Sequence, residues 1–146
     1  MDEIRPWLFI GKYLDTLHTS YLHHKSISVM LQLADKVEKL DITTLCLPIE
    51  DFAPLNFDLL QQGIAFIRQQ KQLGNRVLVA CGAGINRSST FCTAALKEEE
   101  GLSLLDAFKE VKKKHPESMP HEPVWNSLCN YYEEKTPYLD IMRLLP

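Results

Sequence analysis

The chain has 146 residues, of which 45% are hydrophobic and 24% are charged, which predicts a single globular domain over residues 1–146. Sixteen basic and nineteen acidic residues give a formal charge of −3, so nucleic acid is not a favoured partner. No apolar run reaches the roughly 18 residues of a membrane helix, which argues against a membrane partner. Four cysteines without C-x-x-C pairs and a start without a signal-peptide pattern predict a reducing, cytoplasmic location.

The first part of the chain predicts one edge strand and a short helix. A largely apolar strand is predicted from 4 to 10 with Gly11 as its stop, and Pro6 favours an edge position because proline lacks a backbone N–H. Residues 15–25 carry apolar side chains at helical spacing, typical of a short amphipathic helix or an irregular turn. Three histidines lie there, His18, His23 and His24. No cluster of acidic ligands accompanies them, so we expect exposed side chains rather than a metal site.

Two apolar segments, a polar turn and a helix come next. Residues 27–33 and 41–49 are rich in β-branched and apolar side chains, which predicts two strands of a common sheet. Asp51 follows in a turn, where its plain interpretation is a residue that hydrogen-bonds its own backbone. Asn56 is a good N-cap for a helix with an apolar stripe that ends at Gly74. A crossover helix between parallel strands brings Asp51 to the sheet edge where the next strand also ends.

The most informative stretch is a strand, a glycine-bearing loop and a helix. Residues 77–80 are apolar, as in a strand that is buried on both faces. Residues 88–97 are rich in Ala and small polar side chains and contain no Pro or Gly, which predicts a helix. Ligands of open α/β sheets bind at this kind of junction, and the free N–H groups of a helix N-terminus favour an anion.

Cys81 begins this loop and Arg87 closes it, with five residues between them. A positive side chain in the first turn of a helix is repelled by the helix dipole, which costs roughly 0.3–1 kcal/mol of stability unless an anion lies between them. The Arg87 guanidinium can hold two phosphate oxygens, and consecutive loop amides form a nest for the others. The predicted phosphate-binding residues are Gly82, Ala83, Gly84, Ile85, Asn86 and Arg87. The same positive field favours a thiolate at Cys81, which is a nucleophile toward phosphorus.

Other glycine-rich loops fit this stretch less well. Gly82 and Gly84 begin a dinucleotide-binding fingerprint, but Arg87 stands where its third glycine is required. A nucleoside-triphosphate loop needs Lys before Ser or Thr, and no such pair is present here. The remaining cysteines lack an accompanying arginine and glycines and predict small core residues. They are Cys46, Cys92 and Cys129.

The last part of the chain predicts two more helices and a short tail. Ser103 begins a capping-box pattern that opens a helix running to His115. Pro123 stands near the start of the final helix, in which Trp125 is predicted to be a core residue. Residues 136–146 predict a short apolar extension packed on the domain.

The pattern Cys-x5-Arg-Ser from Cys81 to Ser88, together with the Ala83-Gly84 pair, resembles the cysteine-dependent protein tyrosine phosphatases and, more closely, their dual-specificity branch. The resemblance implies an α/β fold with a central, mostly parallel sheet flanked by helices. It also implies that Cys81 forms a phosphocysteine while Arg87 and the loop amides hold the phosphoryl oxygens. The resemblance further implies that the Ser88 hydroxyl stabilises the departing thiolate. No metal or other cofactor is implied.

The family's dual-specificity branch carries its general acid on a loop about thirty residues before the nucleophile. Asp51 precedes Cys81 by thirty residues, so the resemblance implies that Asp51 protonates the leaving group, with Glu50 as the alternative. The family usually has His immediately before the cysteine, and Ala80 stands there instead, which implies a slower reaction than in relatives that carry His. His121 likewise stands where the family often has Asn.

The resemblance implies a phosphorylated protein or peptide as substrate, with phosphotyrosine first and phosphoserine or phosphothreonine as further substrates. Residues 82–86 include no Lys or Arg, which weighs against a polyanionic phosphoinositide substrate. RNA 5′-phosphate is a further alternative. The rival from a different class is a pseudophosphatase, a phosphate-binding module with weak catalysis, and Ala80 is the residue that favours it.

Overall fold

A computed structural model describes residues 1–34 and 41–144, and within them strands and helices alternate. The strands are β1 Asp2–Arg5, β2 Leu8–Lys12, β3 Val29–Gln32, β4 Thr43–Cys46 and β5 Val77–Cys81. The α-helices are α1 Thr19–His24, α2 Phe57–Gln72, α3 Arg87–Glu100, α4 Leu104–Lys114, α5 Glu122–Tyr132 and α6 Tyr138–Met142. A 3-10 helix at Tyr13–Leu17 follows β2.

The five strands form one sheet in the order β1-β2-β5-β3-β4. The β5 strand pairs in parallel with both β2 and β3, and β4 pairs in parallel with β3. Only the β1–β2 pair is antiparallel among the described strands. All five residues of β5 are buried, as its apolar sequence predicts for a strand at the centre of a sheet. The carboxyl end of β5 therefore opens at the middle of the sheet edge.

The predicted single strand from 4 to 10 is wrong. Pro6 and Trp7 form the turn of a hairpin that joins β1 to β2. Proline cannot donate a hydrogen bond to a sheet ladder, so a turn suits Pro6 better than a strand interior. Gly11 does not end the strand either, because β2 continues to Lys12. Two strands thus stand where the apolar run predicted one, with β1 at the sheet edge.

Successive strand residues point to opposite faces of the sheet, and each face has its own apolar core. One core joins Leu8, Ile10, Val29, Leu31, Val77 and Val79 to buried residues of α2, α3, α4, α5 and α6. The other joins Phe9, Leu22, Ile27, Met30, Ile42, Leu78 and Ala80. Leu22 belongs to α1, so helices cover both faces. The prediction of an α/β fold with a central, mostly parallel sheet flanked by helices is confirmed.

The predicted helix boundaries agree with the capping side chains. The Asn56 side chain accepts from the backbone N–H of Leu59 at the start of α2, and Gly74 follows the helix with φ of +80°. Ser103 accepts from Asp106 N at the start of α4. Trp125 is fully buried, as predicted.

Residues 15–25 contain the end of the 3-10 helix and α1, close to the predicted short helix or irregular turn. The three histidines of this region are exposed, as predicted. The tail contains the short helix α6, with Ile141 buried, and residues 145–146 of the predicted extension lie outside the described residues. Within the ranges 1–34 and 41–144, no helix has the length and apolarity needed to cross a bilayer.

Candidate active site

The loop between β5 and α3 places Cys81 at the floor of a pocket and Arg87 at its wall. Cys81 is the last residue of β5 and is 2% exposed. Its Sγ lies 3.2 Å from the Ser88 Oγ, within hydrogen-bonding distance. Ser88 is fully buried in the first turn of α3. The structure thus brings together the predicted nucleophile and the predicted stabilising hydroxyl.

The surrounding chain turns several carbonyls of this loop away from the pocket. Three loop carbonyls accept hydrogen bonds from residues outside the loop. Gly82 O accepts from Tyr13 N at 3.2 Å, Gly84 O from His115 Nε2 at 2.7 Å, and Ile85 O from Met119 N at 3.0 Å. The C=O and N–H of a planar trans peptide point in opposite directions. The amides that follow these carbonyls, at residues 83, 85 and 86, therefore face the opposite side and can form the anion-binding nest.

Gly84 is required by the shape of this loop. Its φ is +72°, and a Cβ at this position would lie 2.9 Å from the Gly11 carbonyl oxygen. Glycine alone accepts both the left-handed backbone and the close contact without strain. The contact presses the loop against β2, which fixes the position of the nest relative to the sheet.

Arg87 lines the pocket and has one donor without a partner among the described residues. Its side chain is 13% exposed, and its Nη1 donates to the Ile49 carbonyl at 3.1 Å. Its buried Nε has no hydrogen-bond partner among the described residues. A buried guanidinium N–H without a partner loses free energy. A bound anion that accepts from this N–H would remove that cost.

Asp51 lines the same pocket, next to Arg87. One carboxylate oxygen accepts from Asn86 Nδ2 at 2.6 Å, and the other lies 3.7 Å from Arg87 Nη2. The pocket has a volume of about 230 Å³, and Phe52 and His121 complete its rim. The alternative acid, Glu50, is exposed and does not line this pocket. The geometry therefore favours Asp51 over Glu50 as the carboxyl group that acts here.

His115 is a site residue that the sequence interpretation treated only as a helix end. It is 3% exposed, and besides Gly84 O it contacts Asp2 Oδ2 through Nδ1 at 2.6 Å. Ala80 is fully buried in the apolar core on the α1 side of the sheet. No polar side chain thus precedes the nucleophile, and an imidazole from the end of α4 holds the loop instead.

Asp2, His115 and Glu117 are also the described residues whose side chains come together closely enough to hold a metal ion, with ligand atoms within 4.8 Å of one another. Both ring nitrogens of His115 already contact protein oxygens, Gly84 O and Asp2 Oδ2. The contacts of His115 therefore fit a residue that supports the loop between β5 and α3. Glu117 lies outside the pocket that holds Cys81.

The other cysteines differ from Cys81. Cys92 is fully buried in α3, as predicted, and burial raises the pKa of its thiol, with the charge of Cys81 raising it further. Cys46 and Cys129 are half-buried rather than fully buried, and burial also raises the pKa of the Cys129 thiol. Cys92 and Cys129 are therefore poor nucleophiles at neutral pH.

The pocket brings a thiol, a guanidinium and a carboxyl group together, which is the arrangement that the resemblance to cysteine-dependent phosphatases leads us to expect. Residues 8–134 match the model of the family described as the dual specificity phosphatase, catalytic domain. The chain belongs to this family.

Known proteins agree with this assignment. Human dual specificity protein phosphatase 5 is 29% identical over 139 residues, which cover 92% of this chain and 36% of that protein. The chain therefore spans about a third of that relative. The crystal structure of human DUSP28 is 26% identical, has a TM-score of 0.84 and aligns over 91% of this chain and 96% of its own.

A second solved structure is that of the human tyrosine phosphatase-like serine/threonine/tyrosine-interacting protein. It is 26% identical, has a TM-score of 0.82 and aligns over 91% of this chain and 95% of its own. The fold is therefore shared with proteins described as phosphatases and with one described as phosphatase-like.

Proposed function

We propose that this chain is a protein phosphatase that hydrolyses phosphotyrosine, and also phosphoserine and phosphothreonine, through a phosphocysteine on Cys81. The observation that carries the proposal is the buried Nε of Arg87, which has no partner among the described residues and shares a pocket with Cys81 and Asp51. A tetrahedral dianion fits this combination of a guanidinium and loop amides.

The first chemical step transfers the phosphoryl group to sulfur. The Cys81 thiolate attacks phosphorus, and the bond from phosphorus to the leaving oxygen breaks. Asp51 gives its proton to that oxygen, which makes the leaving group neutral. Arg87 and the loop amides hold the three remaining oxygens, on which negative charge is concentrated in the transition state.

The second step returns the enzyme to its starting form. Water attacks phosphorus in the phosphocysteine, and the Asp51 carboxylate, now without its proton, accepts a proton from that water. The bond from phosphorus to sulfur breaks, and the sulfur leaves as a thiolate. Ser88 Oγ, 3.2 Å from Sγ, can donate a hydrogen bond to that thiolate. The products are inorganic phosphate and the original enzyme.

The rim of the pocket supports an aryl phosphate on a protein. Phe52 is 70% exposed and stacks on His121, with ring centroids 4.1 Å apart. This pair offers an aromatic wall to a phosphotyrosine ring. Residues 82–86 carry no cationic side chain, so the nest holds one phosphate rather than a polyphosphorylated headgroup. A catalytic thiolate also requires a reducing compartment, which supports a cytoplasmic location.

The second candidate function is a phosphate-binding module with weak catalysis. Ala80 in place of the family's histidine favours it, as does the likeness to a structure described as tyrosine phosphatase-like. Against it, the thiol, guanidinium, hydroxyl and carboxyl groups all meet in or beside one pocket. Binding alone does not require Asp51 or the Ser88 hydroxyl near sulfur.

A substrate panel tests the proposal. We expect kcat/KM for a phosphotyrosine peptide to exceed that for a phosphoserine peptide, RNA 5′-phosphate and a phosphoinositide by about tenfold or more, because only the first presents an aryl ring to the aromatic wall. The unphosphorylated peptide serves as the binding control. Faster turnover of RNA 5′-phosphate or of the phosphoinositide would contradict the proposed substrate. Binding of the phosphotyrosine peptide without turnover would establish the binding module instead.

A further inference from the structure

Asn86 joins the loop that carries Asp51 to the start of α5. Its Nδ2 donates to Asp51 Oδ1 at 2.6 Å, and its Oδ1 accepts from the backbone N–H of His121 at 2.8 Å. A backbone N–H can only donate, so the amide oxygen must face His121 and the amide nitrogen must face Asp51. Asn86 is 5% exposed, so water competes little for either bond.

An aromatic contact joins the same two segments, the loop that carries Asp51 and the start of α5. Phe52, the neighbour of Asp51, stacks on the His121 ring with the two planes 13° apart. Phe52 has φ of +59°, a left-handed conformation that is strained for a bulky residue. Such strain persists only where the surroundings hold it. The stack on His121 and the bond from Asn86 to Asp51 hold this loop together.

The hydrogen bond from Asn86 also distinguishes the two carboxylate oxygens of Asp51. Oδ1 accepts from Asn86 Nδ2 at 2.6 Å and from Phe52 N at 3.2 Å. Oδ2 lies 3.7 Å from Arg87 Nη2 and accepts neither of these two hydrogen bonds, so it is the oxygen that is left to carry the proton. Arg87 holds the phosphoryl group in the proposed mechanism, so Oδ2 lies beside the residue that binds the reacting group.

We propose that the Asn86 side chain is a positioning residue that holds Asp51 so that Oδ2 delivers its proton to the leaving oxygen. The inference rests on the proposed role of Asp51 as the general acid. It gives the Asn86 side chain a role separate from the predicted contact of the Asn86 backbone amide with phosphate. The side chain acts through Asp51 and not on the reacting atoms.

The test compares two esters that differ in their need for a proton. Phenolate is a poor leaving group that requires protonation, whereas p-nitrophenolate leaves readily without it. For Asn86→Ala we expect kcat/KM to fall about tenfold or more with phenyl phosphate and less than about threefold with p-nitrophenyl phosphate. Retained turnover of the nitrophenyl ester shows that the folded loop is present. Asn126→Ala, at an exposed position on α5, is the matched control and should change neither value.

The variant Asp51→Asn separates failure of this inference from failure of the proposed acid. It should show a larger selective loss with phenyl phosphate than Asn86→Ala. Equal losses with both esters in Asn86→Ala, beside a selective loss in Asp51→Asn, would overturn the positioning role alone. Equal losses with both esters in Asp51→Asn would remove the acid and the inference together.

Discussion

Replacing Cys81 by Ser is expected to lower kcat/KM for p-nitrophenyl phosphate by about 10⁴-fold or more, because this removes the nucleophile of the reaction. A serine hydroxyl keeps its proton at neutral pH and is a far weaker nucleophile than a thiolate. Ser is close to Cys in size, so Arg87 and the loop amides should still bind phosphate. Steady-state turnover of p-nitrophenyl phosphate measures the loss, and competition by inorganic phosphate in a binding assay measures the retained site.

Cys46→Ser is the matched control, because Cys46 is half-buried at the end of the edge strand β4 and does not line the pocket. Its kcat/KM should equal that of the parent chain. Turnover by the Cys81→Ser chain that persists and requires a divalent metal would contradict a cysteine mechanism. Loss of phosphate binding in that variant would show that the substitution had disturbed the loop.

Replacing Arg87 by Lys is expected to lower kcat/KM for the same ester by about 10²- to 10³-fold. Lysine keeps the charge but lacks the planar fork that holds two phosphoryl oxygens at once. It also loses the geometry that lets Nη1 donate to Ile49 O at 3.1 Å while the buried Nε remains available. The loss should therefore fall on kcat as well as on KM, which steady-state kinetics separates.

Arg143→Lys provides the control for this substitution. Its side chain is 71% exposed, with a contact of 4.0 Å to Asp140. The same exchange there should leave kcat and KM unchanged. A change in KM alone for Arg87→Lys would mean that Arg87 binds substrate and transition state equally, contrary to its proposed role.

The sequence predicted the centre of the fold better than its edge. The apolar run at 77–80 and the glycine-bearing loop after it obey local rules, and β5 and α3 follow those predictions within a few residues. The segment from 4 to 10 predicts one strand because apolar residues continue on both sides of Pro6, and an apolar pattern alone does not indicate the turn there. Pro6 was the residue that could have indicated the turn. It lies in the turn of the β1–β2 hairpin and not within an edge strand.

The site was predicted in part for a similar reason. The pattern from Cys81 to Ser88 lies within eight consecutive residues, so spacing alone reveals it. The supporting contacts are separated in sequence, by 31 residues from His115 to Gly84 and by 35 from Asn86 to both Asp51 and His121. Such contacts depend on how α4 and α5 pack near the loop, which no local pattern encodes. Asp51 was found through the family resemblance and not through its own neighbours.

The most direct test of a cysteine mechanism is capture of the covalent intermediate. Rapid acid quenching of the parent chain during turnover of p-nitrophenyl phosphate, followed by peptide mass spectrometry, should place one phosphoryl group on Cys81. The Cys81→Ser chain should carry none under the same conditions. A phosphoryl group on a histidine or serine of the turning-over parent chain, with Cys81 unmodified, would contradict the proposed reaction.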